Sequence, residues 1–241
     1  MSDDIISSWT QFEVPLTSEG SLPLSIFKPL LQNKPDSYAA FYGQIAENDA
    51  FVLLIVWKTH AAYDAFTASI QHRELAANLG KQSSSDLAAT TQTIDFGKIA
   101  YWWRLPGYTE FRTVYFPATT SLQTRDAISR MKGLVLTMGL GIDGSKAYRS
   151  PYRGLPSCGW IEGMQTWENR DVSACVWCHH WKNKVTEKTF KTTERRAPKD
   201  GESYQPLALD VFEQDLKVLG AVGWEDIHVD FKKLGASDMM G

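Results

Sequence analysis

One arrangement occurs twice in this chain. Val56-Trp57-Lys58 ends an apolar run, and Trp181-Lys182 ends a second one. Nine residues after each Trp stands a Phe, Phe66 in the first copy and Phe190 in the second. Gly43 and Asn48 precede the first copy, Gly163 and Asn169 the second. A chain that repeats such spacing reads as two copies of one supersecondary unit. Its 241 residues allow two units of about 120 each, within ordinary domain size.

The pattern along the chain supports that reading. Trp9 to Thr17 predicts a first strand, broken by Pro15. Leu24, Phe27, Leu30 and Leu31 keep helical spacing, but Pro29 restricts the helix to a short or kinked one. Ser37 to Ala46 predicts a strand, Glu47-Asn48-Asp49 a turn, and Ala50 to Trp57 a strand buried on both faces. Thr59 is a helix N-cap, Ala62, Phe66, Ile70 and Leu79 suggest one buried face, and Gly80 suits a left-handed C-terminal position. Lys81 to Gln92 reads as a loop and Ile94 to Trp103 as a fourth strand. Leu105-Pro106-Gly107 is the boundary, giving repeats at 1–105 and 106–241.

The second half follows the same order. Glu110 to Ala118 predicts a strand, and Ile128, Met131, Val135 and Met138 mark a helix ended by Gly139, Gly141 and Gly144. Cys158 to Trp167 and Val172 to Trp181 are strands joined by the turn Glu168-Asn169-Arg170. A short helix carries Phe190, and a charged insertion runs from Arg195 to Gln205. Leu209, Phe212, Leu216 and Leu219 form a helix ended by Gly220, and Ile227 to Phe231 is the last strand. Each half is then β-α-β-β-α-β, the ferredoxin-like order. Such a unit leaves one sheet face bare, and two tandem units can cover each other's sheets within one chain.

Composition removes several function classes. A net charge of −3 gives no electrostatic case for nucleic acid or an anionic membrane. No apolar run approaches the roughly 18 residues of a membrane helix. Met1-Ser2-Asp3-Asp4 is acidic with no apolar signal core behind it, and three cysteines make no disulfide framework, so a reducing, cytoplasmic location is the expectation. The chain has no phosphate-binding glycine loop, serine-nucleophile motif or dinucleotide fingerprint. Gly139, Gly141 and Gly144 follow a helix rather than opening one.

The stretch from Val56-Trp57-Lys58 to Ser69 resembles the third strand and second helix of antibiotic-biosynthesis-monooxygenase-like proteins, which are dimeric α+β barrels. The resemblance spans residues 9–104 and extends over 110–232 by internal similarity. It implies an α+β fold in which tandem ferredoxin-like repeats form an intramolecular dimeric α+β barrel. The family includes haem-degrading monooxygenases, quinone-forming oxygenases, and polyketide cyclases and decarboxylases. It further implies a pocket between sheet and helices of each unit, with the strand-end Trp57 and Trp181 pointing in. Haem-degrading members carry an iron-ligating His late in the second helix. That place is Ala76 here, with His72 four residues earlier, and the second copy has no His in its corresponding helix. No bound cofactor is therefore expected.

Cys175-Val176-Trp177-Cys178-His179 spells a c-type haem attachment motif, but inside a period-two strand its two cysteines face opposite sides of the sheet. No second ligand pair completes a zinc site, so no metal is expected. The same alternation puts Cys175, Trp177, His179 and Trp181 on one face. Beside two Trp rings His179 is suited to proton transfer, or is a hydrogen-bonded core histidine. His60 is a second acid/base candidate at the pocket rim. Tyr42 and Glu162 occupy matching places before Gly43 and Gly163; Glu162 would serve as a base if buried, or lie on a solvated face. Tyr101, Trp102 and Trp103 end the fourth strand as packing or ligand contacts. Arg195, Arg196 and Lys199 form a solvated basic face or a lid. The expected function is a cofactor-independent enzyme on a hydrophobic, polyketide-like or aromatic small molecule, using cyclase- or isomerase-type acid–base chemistry. The alternatives are a cofactor-free monooxygenase and a non-catalytic ligand-binding or stress-response barrel. The second half is favoured as the active one, and the chain is expected to be a monomer or a homodimer.

Overall fold

The structure, a computed structural model, describes residues 5–18, 20–32, 35–48, 50–80, 90–97, 102–131, 133–134, 153–154, 156–192 and 208–235. It divides into two compact units, Met1–Pro106 with Val229–Gly241, and Gly107–His228. Among the described residues no helix is long and apolar enough to cross a membrane. Tyr101, Val135, Met138, Gly139, Gly141, Gly144, Arg195, Arg196 and Lys199 lie outside the described residues.

The first unit contains β1 (Ile6–Phe12), a 3-10 turn at Leu24–Phe27 leading into α1 (Lys28–Gln32), β2 (Ser37–Gln44), β3 (Phe51–Trp57), α2 (His60–Thr67), α3 (Ile70–Gly80) and β4 (Thr90–Asp95). All pairs are antiparallel: β3 lies between β2 and β1, and β1 also pairs with β4. All seven β3 residues are buried, as a run of branched and aromatic side chains requires. The Thr59 hydroxyl accepts the Ala62 N–H at 3.1 Å and so starts α2.

Three local expectations change here. The helical run after Trp57 is two helices. Ser69 donates to the Phe66 carbonyl at 2.6 Å and accepts the His72 N–H at 3.1 Å, which ends one helix and caps the next. The break resets the helical phase, so Ile70 is exposed and Leu75 is buried with Leu79. Gly80 is the last helical residue of α3 and not a left-handed cap. Finally, β4 ends at Asp95, because Asp95 Oδ1 accepts the Gly97 N–H at 2.6 Å and Gly97 takes φ 61°. Trp102–Arg104 is a separate 3-10 turn.

The second unit contains β5 (Gly107–Pro117), α4 (Leu122–Ser129), β6 (Ser157–Ile161), β7 (Gln165–Trp167), β8 (Arg170–His180), α5 (Lys184–Thr192), α6 (Ala208–Val218) and the first part of β9 (Gly223–Lys233). β8 pairs antiparallel with β5 and, on its other edge, with β6 and β7, and β5 lies beside β9. Glu168 (φ 49°) and Asn169 (φ 61°) make a two-residue hairpin turn whose positive φ matches strand twist. Gly163 (φ 77°) splits the expected strand 158–167 into β6 and β7.

Each unit has its own core. In the first, Phe12, Phe27, Phe51, Trp57 and Phe66 gather with branched aliphatics, and in the second, Val114, Phe116, Trp177, Trp181, Phe190 and Phe212 do so.

Candidate functional site

The two repeated tryptophans are held by the same device. Trp57 donates its indole N–H to Ser8 Oγ at 2.9 Å, and its ring lies 4.9 Å from Phe66. Trp181 donates to Glu110 Oε2 at 2.7 Å, and its ring lies 5.6 Å from Phe190. Ser8 is paired with Ile55, two residues before Trp57; Glu110 is paired with His179, two residues before Trp181. One step further along the face, Thr10 pairs with Leu53 and Arg112 with Trp177. Corresponding places therefore carry Ser8, Thr10, Leu53 and Ile55 in the first unit, and Glu110, Arg112, Trp177 and His179 in the second.

In the first unit a cavity of about 160 Å³ lies between β1, β3 and β4 on one side and α2 and α3 on the other. Its sheet wall is Ser8, Thr10, Leu53, Ile55, Trp57 and Thr91; Tyr63, Phe66 and Thr67 of α2, with His72, Leu75, Ala76 and Leu79 of α3, line the helical wall. The α3 residues follow helical spacing, so α3 presents His72 on the same face as its buried leucines. Ala76, which is exposed, stands at the rim. A cavity of about 150 Å³ admits one benzene-sized ring, which sets the scale of an enclosed occupant.

The polar groups in this wall are few and placed. Ser8 is buried and its oxygen accepts from Trp57, which leaves its O–H to donate. Thr10 and Thr91 share a hydrogen bond of 3.0 Å. The His72 imidazole lies edge-on to Phe66 at 5.6 Å. His72 is the acid/base group that sequence reasoning passed over. The signal was its three- and seven-residue spacing to Leu75 and Leu79, obscured by treating residues 59–80 as one helix.

In the second unit the corresponding positions carry a buried, charged network. Glu110 and His179 are fully buried, and Arg112 nearly so. Lys191 Nζ bridges Glu110 Oε1 at 2.9 Å and Glu187 Oε1 at 2.6 Å. Glu187 also accepts from Tyr108 at 2.8 Å, and His228 Nε2 lies 2.8 Å from its Oε1. Arg112 holds Asp226 through two nitrogens, at 2.7 and 2.6 Å, and Glu213 at 3.0 Å. Burial works to raise the Glu110 carboxyl, but the surrounding charge more than reverses this and holds it low. Burial pushes His179 down to about 4, so at neutral pH it carries no charge and the standing cations beside Glu110 are Lys191 and Arg112. Burial also opposes ionisation of Glu187, yet the hydrogen bonds with His228 and Lys191 bring it to about 2. Glu110, Glu187 and His228 offer metal-type donor atoms within 4.8 Å of one another, and the Lys191 ammonium already bridges the two carboxylates.

His179 accepts the Leu134 N–H on Nε2 at 3.4 Å, which puts its proton on Nδ1, 3.8 Å from Glu110. Phe212 stands edge-on at 6.2 Å, and Trp181 lies tilted at 6.1 Å. Trp177 packs edge-on to Phe212 at 5.5 Å. Trp177, His179 and Trp181 thus come together, all three fully buried. His60 lies half-buried at the start of α2, outside the cavity wall. Glu162 is exposed after β6 and lacks the apolar enclosure its role as a base required. Tyr42 packs on Phe27 at 5.6 Å in the first core. Trp103 is 62% exposed, with Arg104 over its ring at 4.3 Å, because it lies on the 3-10 turn and not in β4.

No protein-family model matches the chain, and no curated protein sequence matches it. Solved structures do. A proposed monooxygenase from Fusobacterium nucleatum subsp. nucleatum ATCC 25586 superposes with TM-score 0.57 at 11% identity, over 98% of this chain and 96% of that one. A proposed monooxygenase from Lactobacillus acidophilus NCFM gives 0.54 at 8% identity, over 95% of both chains. An anthrone oxidase-like protein gives 0.52 at 12% identity, over 97% of this chain and 94% of that one. These are dimeric α+β barrel proteins, and at such low identity the likeness establishes that this chain shares their fold.

Proposed function

We propose that the chain is an enzyme that takes a small aromatic or enolisable compound into the cavity of the first unit and moves a proton on it, without a bound cofactor. The carrying observation is the cavity itself, apolar except for one imidazole and a few hydroxyls. Imidazole is the side chain suited to taking a proton near neutral pH. His72 removes a proton from the substrate, and the Ser8 O–H, polarised by the Trp57 N–H its oxygen accepts, donates to the oxygen that becomes negative. Returning the proton to another carbon gives isomerisation; attack of the carbanion on a carbonyl carbon of the same molecule breaks that C=O π bond, and returning the proton to the alkoxide completes ring closure. Tyr63, Phe66 and Trp57 supply the aromatic wall.

A second reading shares the first step. The resulting carbanion reacts with molecular oxygen, as in a cofactor-free monooxygenase. The names of the neighbouring structures, two proposed monooxygenases and an anthrone oxidase-like protein, favour it. A haem-dependent route fits the residues poorly: Ala76 offers no donor at the expected ligand place. We further infer that the two units are tandem ferredoxin-like copies, a reading supported by the orders β4-β1-β3-β2 and β9-β5-β8-β6.

The test uses a resorcinol-type phenol and an anthrone as probes, with proton exchange followed by NMR in D2O and oxygen uptake by electrode. Exchange that falls about 100-fold or more in His72→Gln supports the reading, because a positioned base contributes at least that much. Exchange without oxygen uptake selects isomerase or cyclase chemistry; oxygen uptake selects the monooxygenase. Binding of either probe with no exchange and no oxygen uptake makes this a binding barrel and sinks the proposal, as would unchanged rates in His72→Gln.

A further inference from the structure

We propose that Cys158 and Cys175 are an oxidisable thiol pair that a hydroperoxide converts to a disulfide, joining β6 to β8 within the second unit. The proposal is independent of any reaction in the first unit's cavity. It rests on the position of the two sulfurs, which lie 3.0 Å apart. Cys158 pairs with Trp177 and Cys175 with Trp160, so the two cysteines are diagonal neighbours on one face of the β6–β8 ladder. A disulfide needs about 2.05 Å between sulfurs, roughly 1 Å closer than they stand, which side-chain rotation with a small shift of the two strands supplies.

The third cysteine is set apart by the strand period. Cys178 lies three residues from Cys175 on β8, so it points to the opposite face. All three are free thiols. Cys158 is half-buried, whereas Cys175 and Cys178 are fully buried and burial pushes both thiols up. Accessibility therefore assigns the roles. The Cys158 thiolate attacks the O–O bond of the hydroperoxide; its sulfur gains oxygen as a sulfenic acid, and an alcohol (water, from hydrogen peroxide) leaves. The Cys175 sulfur then attacks the Cys158 sulfur, the S–O bond breaks, and water departs with the Cys175 proton. Two thiols lose two electrons and two protons, and the hydroperoxide gains them.

The diagonal placement also predicts that the bond reopens. Diagonal cross-strand pairs have Cα atoms about 7–8 Å apart, at or beyond the upper end of the usual disulfide range. A bond made there is strained and so more oxidising, which places it among reducible disulfides.

The experiment treats the folded full chain with hydrogen peroxide, alkylates it after denaturation, and maps peptides by mass spectrometry. The expected result is loss of two of the three alkylatable thiols, a mass lower by two hydrogen atoms, and a crosslinked pair of peptides carrying Cys158 and Cys175. Dithiothreitol should restore all three thiols. Cys178→Ser should leave the crosslink intact, and Cys158→Ser and Cys175→Ser should each abolish it. If either of these fails to fold, the wild-type peptide map still decides. Oxidation of Cys158 to sulfinic or sulfonic acid with Cys175 still alkylatable, a crosslink through Cys178, or a crosslink between chains would each overturn the proposal.

Discussion

Replacing Lys191 by Met should unfold the second unit more easily by several kcal/mol. Lys191 Nζ stands 2.9 Å from Glu110 and 2.6 Å from Glu187, and neither carboxylate has much access to water. At an effective dielectric of about 20, each contact is worth about 6 kcal/mol before solvation is counted. Desolvating the ammonium offsets most of that. What remains after removal is two buried carboxylates that have lost a shared cation, and breaking such a pair costs about 3–5 kcal/mol. Glu110 keeps the Trp181 N–H and the Arg112 guanidinium at 3.8 Å, which argues for the lower end. The assay is urea unfolding followed by tryptophan emission. Trp181 reports directly, since it bonds Glu110 and lies 5.8 Å from Lys191 Nζ. The control is Glu110→Gln in the Lys191→Met background. Neutralising one of the stranded carboxylates should recover part of the loss, giving a coupling well above the roughly 0.5 kcal/mol scatter of independent sites. A Lys191→Met loss under about 1 kcal/mol, or fully additive effects, would show that water reaches this cluster and that the argument from burial fails.

Acid titration should show two separate effects. His179 has a folded value of about 4 against an ordinary 6.5, so its contribution is complete above pH 6.5 and is lost as pH falls toward 4, on the order of 3 kcal/mol; His179→Gln should flatten that part of the stability curve. Glu187, at about 2 against 4.5, contributes above pH 4.5 and is lost as pH falls through 2, so Glu187→Gln should flatten the curve only in that lower window. Gly133→Ala should destabilise by about 2 kcal/mol or more, because a Cβ there would stand 2.7 Å from His179 Nε2 and φ is 60°; urea unfolding at neutral pH checks it. Gly43→Ala should cost about 1–3 kcal/mol, since its Cβ would clash with Val229 Cγ1 and meet the Asp230 carbonyl oxygen at 2.8 Å; a thermal melt within error of wild type would refute the clash.

The doubled Trp–Phe spacing was legible because it is built from large side chains. Trp57 with Phe66 and Trp181 with Phe190 do form equivalent ring pairs, and the strand alternation that put Trp177, His179 and Trp181 on one face holds. What stands opposite what was not legible: Ser8 and Thr10 in the first unit correspond to Glu110 and Arg112 in the second, side chains on the first strand of each unit whose partners lie about fifty or seventy residues away. The alternation that placed His179 beside two Trp rings does not show its further neighbours Phe212, Gly133 and Leu134. His72 was hidden because nothing in composition announces the Ser69 break that turns α3 toward the sheet.

β3 is buried at every position from Phe51 to Trp57, and β8 from Val172 to His180. Each is flanked by paired strands on both edges, so its amides are shielded by hydrogen bonds as well as by side chains. Such protons exchange with solvent only when the surrounding unit opens. The slowest amides of the chain should therefore fall into two groups, one in β3 and one in β8. Their exchange rates measure two opening equilibria separately. Under Lys191→Met the β8 group should accelerate while the β3 group keeps its pace.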